Sequence, residues 1–96
     1  MISVKVQTIL DIKRILGKRE VELLVPEKST VEDLLRNMVE RWGDELSSRL
    51  FEPGTRRLFS HIQIMVNGRA IGFLNRMETV LQDGDEVLLL PPAAGG

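Results

Sequence analysis

The chain has 96 residues, 43% of them hydrophobic and 28% charged, with a net charge of −1 near neutral pH. That size and balance fit one soluble domain around a single core and give no general electrostatic case for binding nucleic acid or membranes. The absence of cysteine excludes disulfides, thiolate nucleophiles and cysteine metal sites, and fits an intracellular protein.

Ile2, Val4 and Val6 alternate with Ser3, Lys5 and Gln7, which predicts a strand with one buried face and argues against a secretory signal. Ile12, Ile15 and Leu16 fall at helical spacing and are stopped by Gly17. Val21, Leu23 and Val25 form a second alternating run closed by Pro26, so the first two strands are expected to pair as an antiparallel hairpin. The clearest helix follows. Ser29 or Thr30 is its N-cap, Glu32 or Asp33 the reciprocal partner, and Leu34, Leu35, Met38, Val39 and Trp42 its apolar stripe, with Gly43 at the far end.

Leu46, Leu50 and Phe51 predict a short second helix, and Pro53-Gly54 a turn. Ile62, Ile64 and Val66 alternate as a third strand, Asn67-Gly68 is a hairpin turn, and Ala70 to Phe73 is expected to return as a short fourth strand. Asp83-Gly84-Asp85 is a turn leading into a last strand, Glu86 to Leu90. Both faces of that strand are apolar. One belongs to the core; the other is either covered by the Asp44–His61 segment or exposed beside the tail. No apolar run approaches the ~20 residues a membrane span needs, and a cytoplasmic protein is expected.

The sequence given closes on Pro91-Pro92-Ala93-Ala94-Gly95-Gly96. The prolines favour an extended path, so residues 91–96 are expected to form a flexible tail standing off a domain of residues 1–90. Gly95 and Gly96 lack Cβ atoms and can pass a channel too narrow for side chains. At usual glycine frequencies a chain ends in Gly-Gly by chance about once in 200.

The order of elements is that of an α+β protein of the β-grasp, or ubiquitin-like, kind: a mixed four- to five-stranded sheet packed on one main helix. Three pieces carry a resemblance to a family. They are Val66-Asn67-Gly68, the run Thr79-Val80-Leu81-Gln82-Asp83-Gly84-Asp85-Glu86-Val87, and the Pro91–Gly96 ending. In this order they resemble the MoaD/ThiS family of ubiquitin-like sulfur carriers. The proline pair and the Asp83–Val87 turn are more similar to the small subunit of molybdopterin synthase than to the thiamine carrier. The Leu50–His61 segment is longer than in minimal members.

The resemblance implies the parallel pairing of first and last strands at the sheet centre, and it implies the chemistry. An α-carboxylate, with a pKa of about 3.3–3.7, is an anion and a poor electrophile near neutrality. In this family a ubiquitin-activating-like adenylyltransferase converts it to a mixed anhydride with AMP. A sulfur donor protein then displaces AMP, and the resulting thiocarboxylate gives its sulfur to an intermediate held by a recipient enzyme. By resemblance Gly96 is the site of adenylation and thiocarboxylation, with Gly95 serving clearance. Leu88, Leu90, Phe73, Pro91, Pro92, Ala93 and Ala94 are the expected partner contacts. The chain is then a carrier, not an enzyme, holding no metal or cofactor, while ATP and Mg²⁺ belong to the activating partner. Expected recipients are the large subunit of molybdopterin synthase or, alternatively, the enzymes of cysteine synthesis, thiamine synthesis or tRNA thiolation.

Other classes are weaker. His61 is the only histidine and has no cysteine to work with, and two carboxylates at Asp83 and Asp85 make a poor metal site. Lys13, Arg14, Lys18 and Arg19 cluster, with Arg56 and Arg57 as candidates to join them, but aromatics total 4%, and acidic-partner docking fits better than nucleic acid. A protein modifier attached through Gly96 to lysines would use the same activated tail.

Overall fold

The computed structural model describes residues 1–55 and 57–91. Along the chain these form β1 (Ile2–Thr8), α1 (Leu10–Leu16), β2 (Glu20–Val25), α2 (Val31–Trp42), α3 (Asp44–Leu50), β3 (Gln63–Val66), β4 (Arg69–Ala70) and β5 (Glu86–Leu90). Two 3₁₀ turns, Ile71–Phe73 and Arg76–Glu78, lie between β4 and β5. The five strands make one mixed sheet in the order β2-β1-β5-β3-β4. β1 and β5 run parallel at its centre, and β2 and β3 flank them antiparallel. This is the β-grasp arrangement.

The register explains the burial. Ile2, Val4, Val6 and Thr8 of β1 meet Leu23 and Val25 of β2 and Val87 and Leu89 of β5 on one face, where α2 supplies Val31, Leu34, Leu35 and Met38. The hairpin expectation for the first two strands holds over six paired residues, with α1 as its connection. Gly17 ends α1 at φ 82°, a left-handed value that suits glycine, and donates its N–H to the Lys13 carbonyl at 2.8 Å.

Of the two candidate caps for α2, Thr30 is the one used. Its Oγ1 accepts from Asp33 N at 3.2 Å, and Asp33 Oδ2 accepts from Thr30 N at 3.0 Å. Ser29 instead donates to the Pro26 carbonyl. Thr30→Ala should cost about 1 kcal/mol of stability, read by chemical denaturation. The bond from Thr30 N lowers the Asp33 pKa below its ordinary 3.8; desolvation opposes it, and the Thr30 side chain and Arg36 add smaller lowering effects. A carboxylate held low in the folded state stabilises above its unfolded pKa and loses that contribution as pH falls through its folded one. The stability gap between wild type and Asp33→Asn should therefore close as pH drops below about 4.

The two alternatives for the second face of β5 are settled by the middle segment. Leu46 and Leu50 of α3 are fully buried in the core cluster beside α1 and α2, and Phe59 N donates back to the Leu50 carbonyl. This segment packs on the helical side, and among the described residues Leu88 and Leu90 on the other face of β5 stay partly exposed.

Two expectations need correction. The fourth strand does not run to Phe73: β4 has only Arg69 and Ala70, and Ile71–Phe73 is a 3₁₀ turn closed by Leu74 N on the Ile71 carbonyl. Ile71 turns toward the core while Phe73 is left 88% exposed, which a continuing ladder would not allow. Pro91 does not stand clear of the body. It follows Val87 and Leu89 at period two and is buried.

Candidate functional site

The site expected from sequence lies where β5 delivers the chain. Pro92, Ala93, Ala94, Gly95 and Gly96 lie outside the described residues, as does Arg56. The geometry at hand is therefore that of the tail's base. There the buried Thr8 donates its hydroxyl to the Leu89 carbonyl at 2.9 Å, tying the ends of the two central strands together. A buried hydroxyl with a met acceptor fixes direction. Beyond it, Pro91 sits in a groove with Asp11 and Ile12 of α1, Ser48 and Arg49 of α3, and Phe59 and His61. Arg49 Nη1 and Asp11 Oδ2 are 3.5 Å apart and bridge the two helices, and His61 stacks on Phe59 with ring centroids 5.0 Å apart.

On the open face of the sheet, Leu88 and Leu90 are partly exposed. They are brought together with residues that sequence reasoning missed. Met65 is paired with Leu88 on one side and with Ala70 on the other. Ile9, just past the last residue of β1, lines a hollow with Leu88 and is 38% exposed. Leu10 follows in the left-handed region at φ 58° and is 50% exposed. An apolar side chain there is strained by about 1–2 kcal/mol, and such strain tends to collect at functional surfaces. The alternation of Met65 between Ile64 and Val66 was a readable signal for its outward position. Nothing in the sequence marked Leu10.

Phe73 is not part of this group. It lies past β4, two strands away from β5. Asp83 and Asp85 serve the turn into β5: Asp83 accepts from Ser3 N at 2.8 Å, and Asp85 accepts from Gln82 N and the Asn67 side chain. Among the described residues no helix is long and apolar enough to cross a membrane.

A β-grasp body with an apolar face beside the exit of its last strand is a ubiquitin-like fold. The ThiS family model matches residues 9–96, and the chain belongs to that family. It is 36% identical over 84 residues to small archaeal modifier protein 3 of Haloferax volcanii, covering 88% of each chain. The solution structure of small archaeal modifier protein 1 from Methanosarcina acetivorans superposes with a TM-score of 0.85 at 32% identity, covering 100% of this chain and 98% of that one. The crystal structure of the Amycolatopsis orientalis BexX/CysO complex matches at a TM-score of 0.78 and 26% identity, over 97% and 99% of the two chains.

Proposed function

We propose that this protein is a sulfur carrier whose reacting group is the Gly96 carboxylate. The observation that supports this most is a family match running through to residue 96, on a body whose last strand is clamped at its exit. In the proposed cycle a carboxylate oxygen attacks the α-phosphorus of ATP on a partner enzyme and pyrophosphate leaves. Hydrosulfide then attacks the acyl carbon, AMP leaves with the electron pair of the broken C–O bond, and loss of the S–H proton leaves Gly96 as a thiocarboxylate. The chain contributes the carboxylate, its slim glycine approach and a surface for docking; nucleotide and Mg²⁺ sit on the partner.

That surface is Leu88 and Leu90 with Ile9, Leu10 and Met65, and the tail from Pro92 onward enters the partner. Pro91 sets the direction of entry. For the recipient we favour the large subunit of a molybdopterin synthase, on the strength of the proline pair and the Asp83–Val87 turn. Sulfur delivery to cysteine, thiamine or tRNA is the alternative within the same chemistry.

Intact mass spectrometry after incubation with an activating enzyme of the adenylyltransferase type, ATP and sulfide tests the reading. The protein should gain the mass difference between one sulfur and one oxygen, in an ATP-dependent manner. An unchanged mass under conditions where the enzyme hydrolyses ATP counts against it. A second reading is favoured by the relative named as a modifier protein: attachment of Gly96 to lysine side chains. Isopeptide-linked conjugates in cells, with no thiocarboxylate at any stage, would choose it over sulfur carriage.

A further inference from the structure

The chain is nearly neutral overall, but its charge is not evenly placed. At the end where β5 exits, α1 and the turn after it present Lys13, Arg14, Lys18 and Arg19, all exposed. Arg49, paired with Asp11, joins them across the Pro91 groove, and Arg19 lines a second hollow with Ile9, Leu88 and the exposed Glu20, so cations outnumber carboxylates here by five to two. Among the described residues none of Lys13, Arg14, Lys18 or Arg19 has a carboxylate within 4.0 Å; the ion pairs are Arg36 with Glu32 and Asp33, and Arg49 with Asp11. The opposite end, where β5 begins, holds Glu27, Asp83, Asp85 and Glu86 against Lys28 and Arg69. The C-terminus of α1 accounts for part of Lys13 and Arg14, since cations are favoured in a last turn. It does not account for Lys18 and Arg19, which lie beyond it.

We propose that this basic collar around the tail's exit docks on an acidic protein surface at the mouth of the activating enzyme's channel, orienting the carrier tail-first. The inference rests on the proposed function. One observation favours protein over nucleic acid: the collar borders the apolar group of Ile9, Leu88 and Leu90, which fits a folded surface. Exposed charges of this kind act on encounter more than on the bound state, so their signature is in KM and salt dependence.

The test compares wild type, Arg14→Glu/Lys18→Glu, Lys13→Gln/Arg19→Gln and the far-end control Glu27→Lys in ATP-dependent thiocarboxylate formation by the activating enzyme, with thermal melts confirming the fold. At low salt both collar variants should raise KM, the charge reversal by roughly tenfold, with kcat unchanged and Glu27→Lys not slower than wild type. The gap should close near 1 M salt, where the screening length is about 3 Å. Folded collar variants with wild-type KM at low salt would overturn the collar and leave the carrier reading intact. No thiocarboxylate on the wild type would overturn both. Normal enzyme kinetics combined with loss of tRNA retention in the reversal variant would reassign the collar to nucleic acid.

Discussion

Removing Gly95 and Gly96 should abolish thiocarboxylate formation while leaving the protein folded. The buried residues of the core cluster lie between Ile2 and Leu89, Pro91 is buried just after them, and the truncation touches none of these. The melting temperature of the shortened chain should therefore match that of the full one. The product signal in intact mass spectrometry should fall to background, because the carboxylate then ends on Ala94 and sits two residues short of where it must react. Gly95→Ala separates reach from clearance. It keeps the carboxylate and the length but adds a Cβ to the slim stem, and a displacement of about 1 Å at the reacting atom can cost about 10²-fold in rate. A Gly95→Ala protein that is charged with sulfur as fast as wild type would show that the glycine stem is not passing through a tight channel.

Most of the body was legible because its signals are local and repeat. Ile2, Val4 and Val6 alternate, Thr30 and Asp33 sit three apart, and Asn67-Gly68 takes left-handed φ values of 50° and 84° that few other residue pairs tolerate. The fourth strand was overextended because Ala70, Ile71 and Phe73 have strand-like composition, whereas their path is decided by Ile71 turning inward and Leu74 closing on it. Composition does not encode that competition. The parallel neighbourhood of β1 and β5 brings Ile9 and Leu88 to one hollow across some eighty positions of sequence, and periodicity within either strand cannot reveal it. The charge collar was visible as a cluster, but its relation to the tail came only from the sheet. The proposed reacting end, by contrast, rests on glycine at 95 and 96 behind a proline pair and on the family resemblance those residues carry.

Leu88 and Leu89, adjacent in sequence, should fail in opposite ways. Leu89 is fully buried between Thr8 of β1 and Ile64 of β3, at the centre of the sheet and under the helices. Leu89→Ala removes side-chain contacts that such a rigid site cannot refill, at a cost of about 3–4 kcal/mol. In a domain of this size that lowers the melting temperature by roughly 12–32 °C. Leu88 points to the open face, paired with Gln7 and Met65 and only partly buried. Leu88→Lys can keep its aliphatic stem on the sheet and carry its ammonium into water, so stability should change by about 1 kcal/mol or less. Against a partner the same change places a charge in the middle of an apolar contact, and affinity for the activating enzyme should fall at least tenfold. Calorimetric melts and binding titrations on the two variants decide the matter. If Leu88→Lys unfolds the protein as Leu89→Ala does, the open face is part of the core and not a docking surface. If it melts and binds like wild type, the partner engages the chain elsewhere.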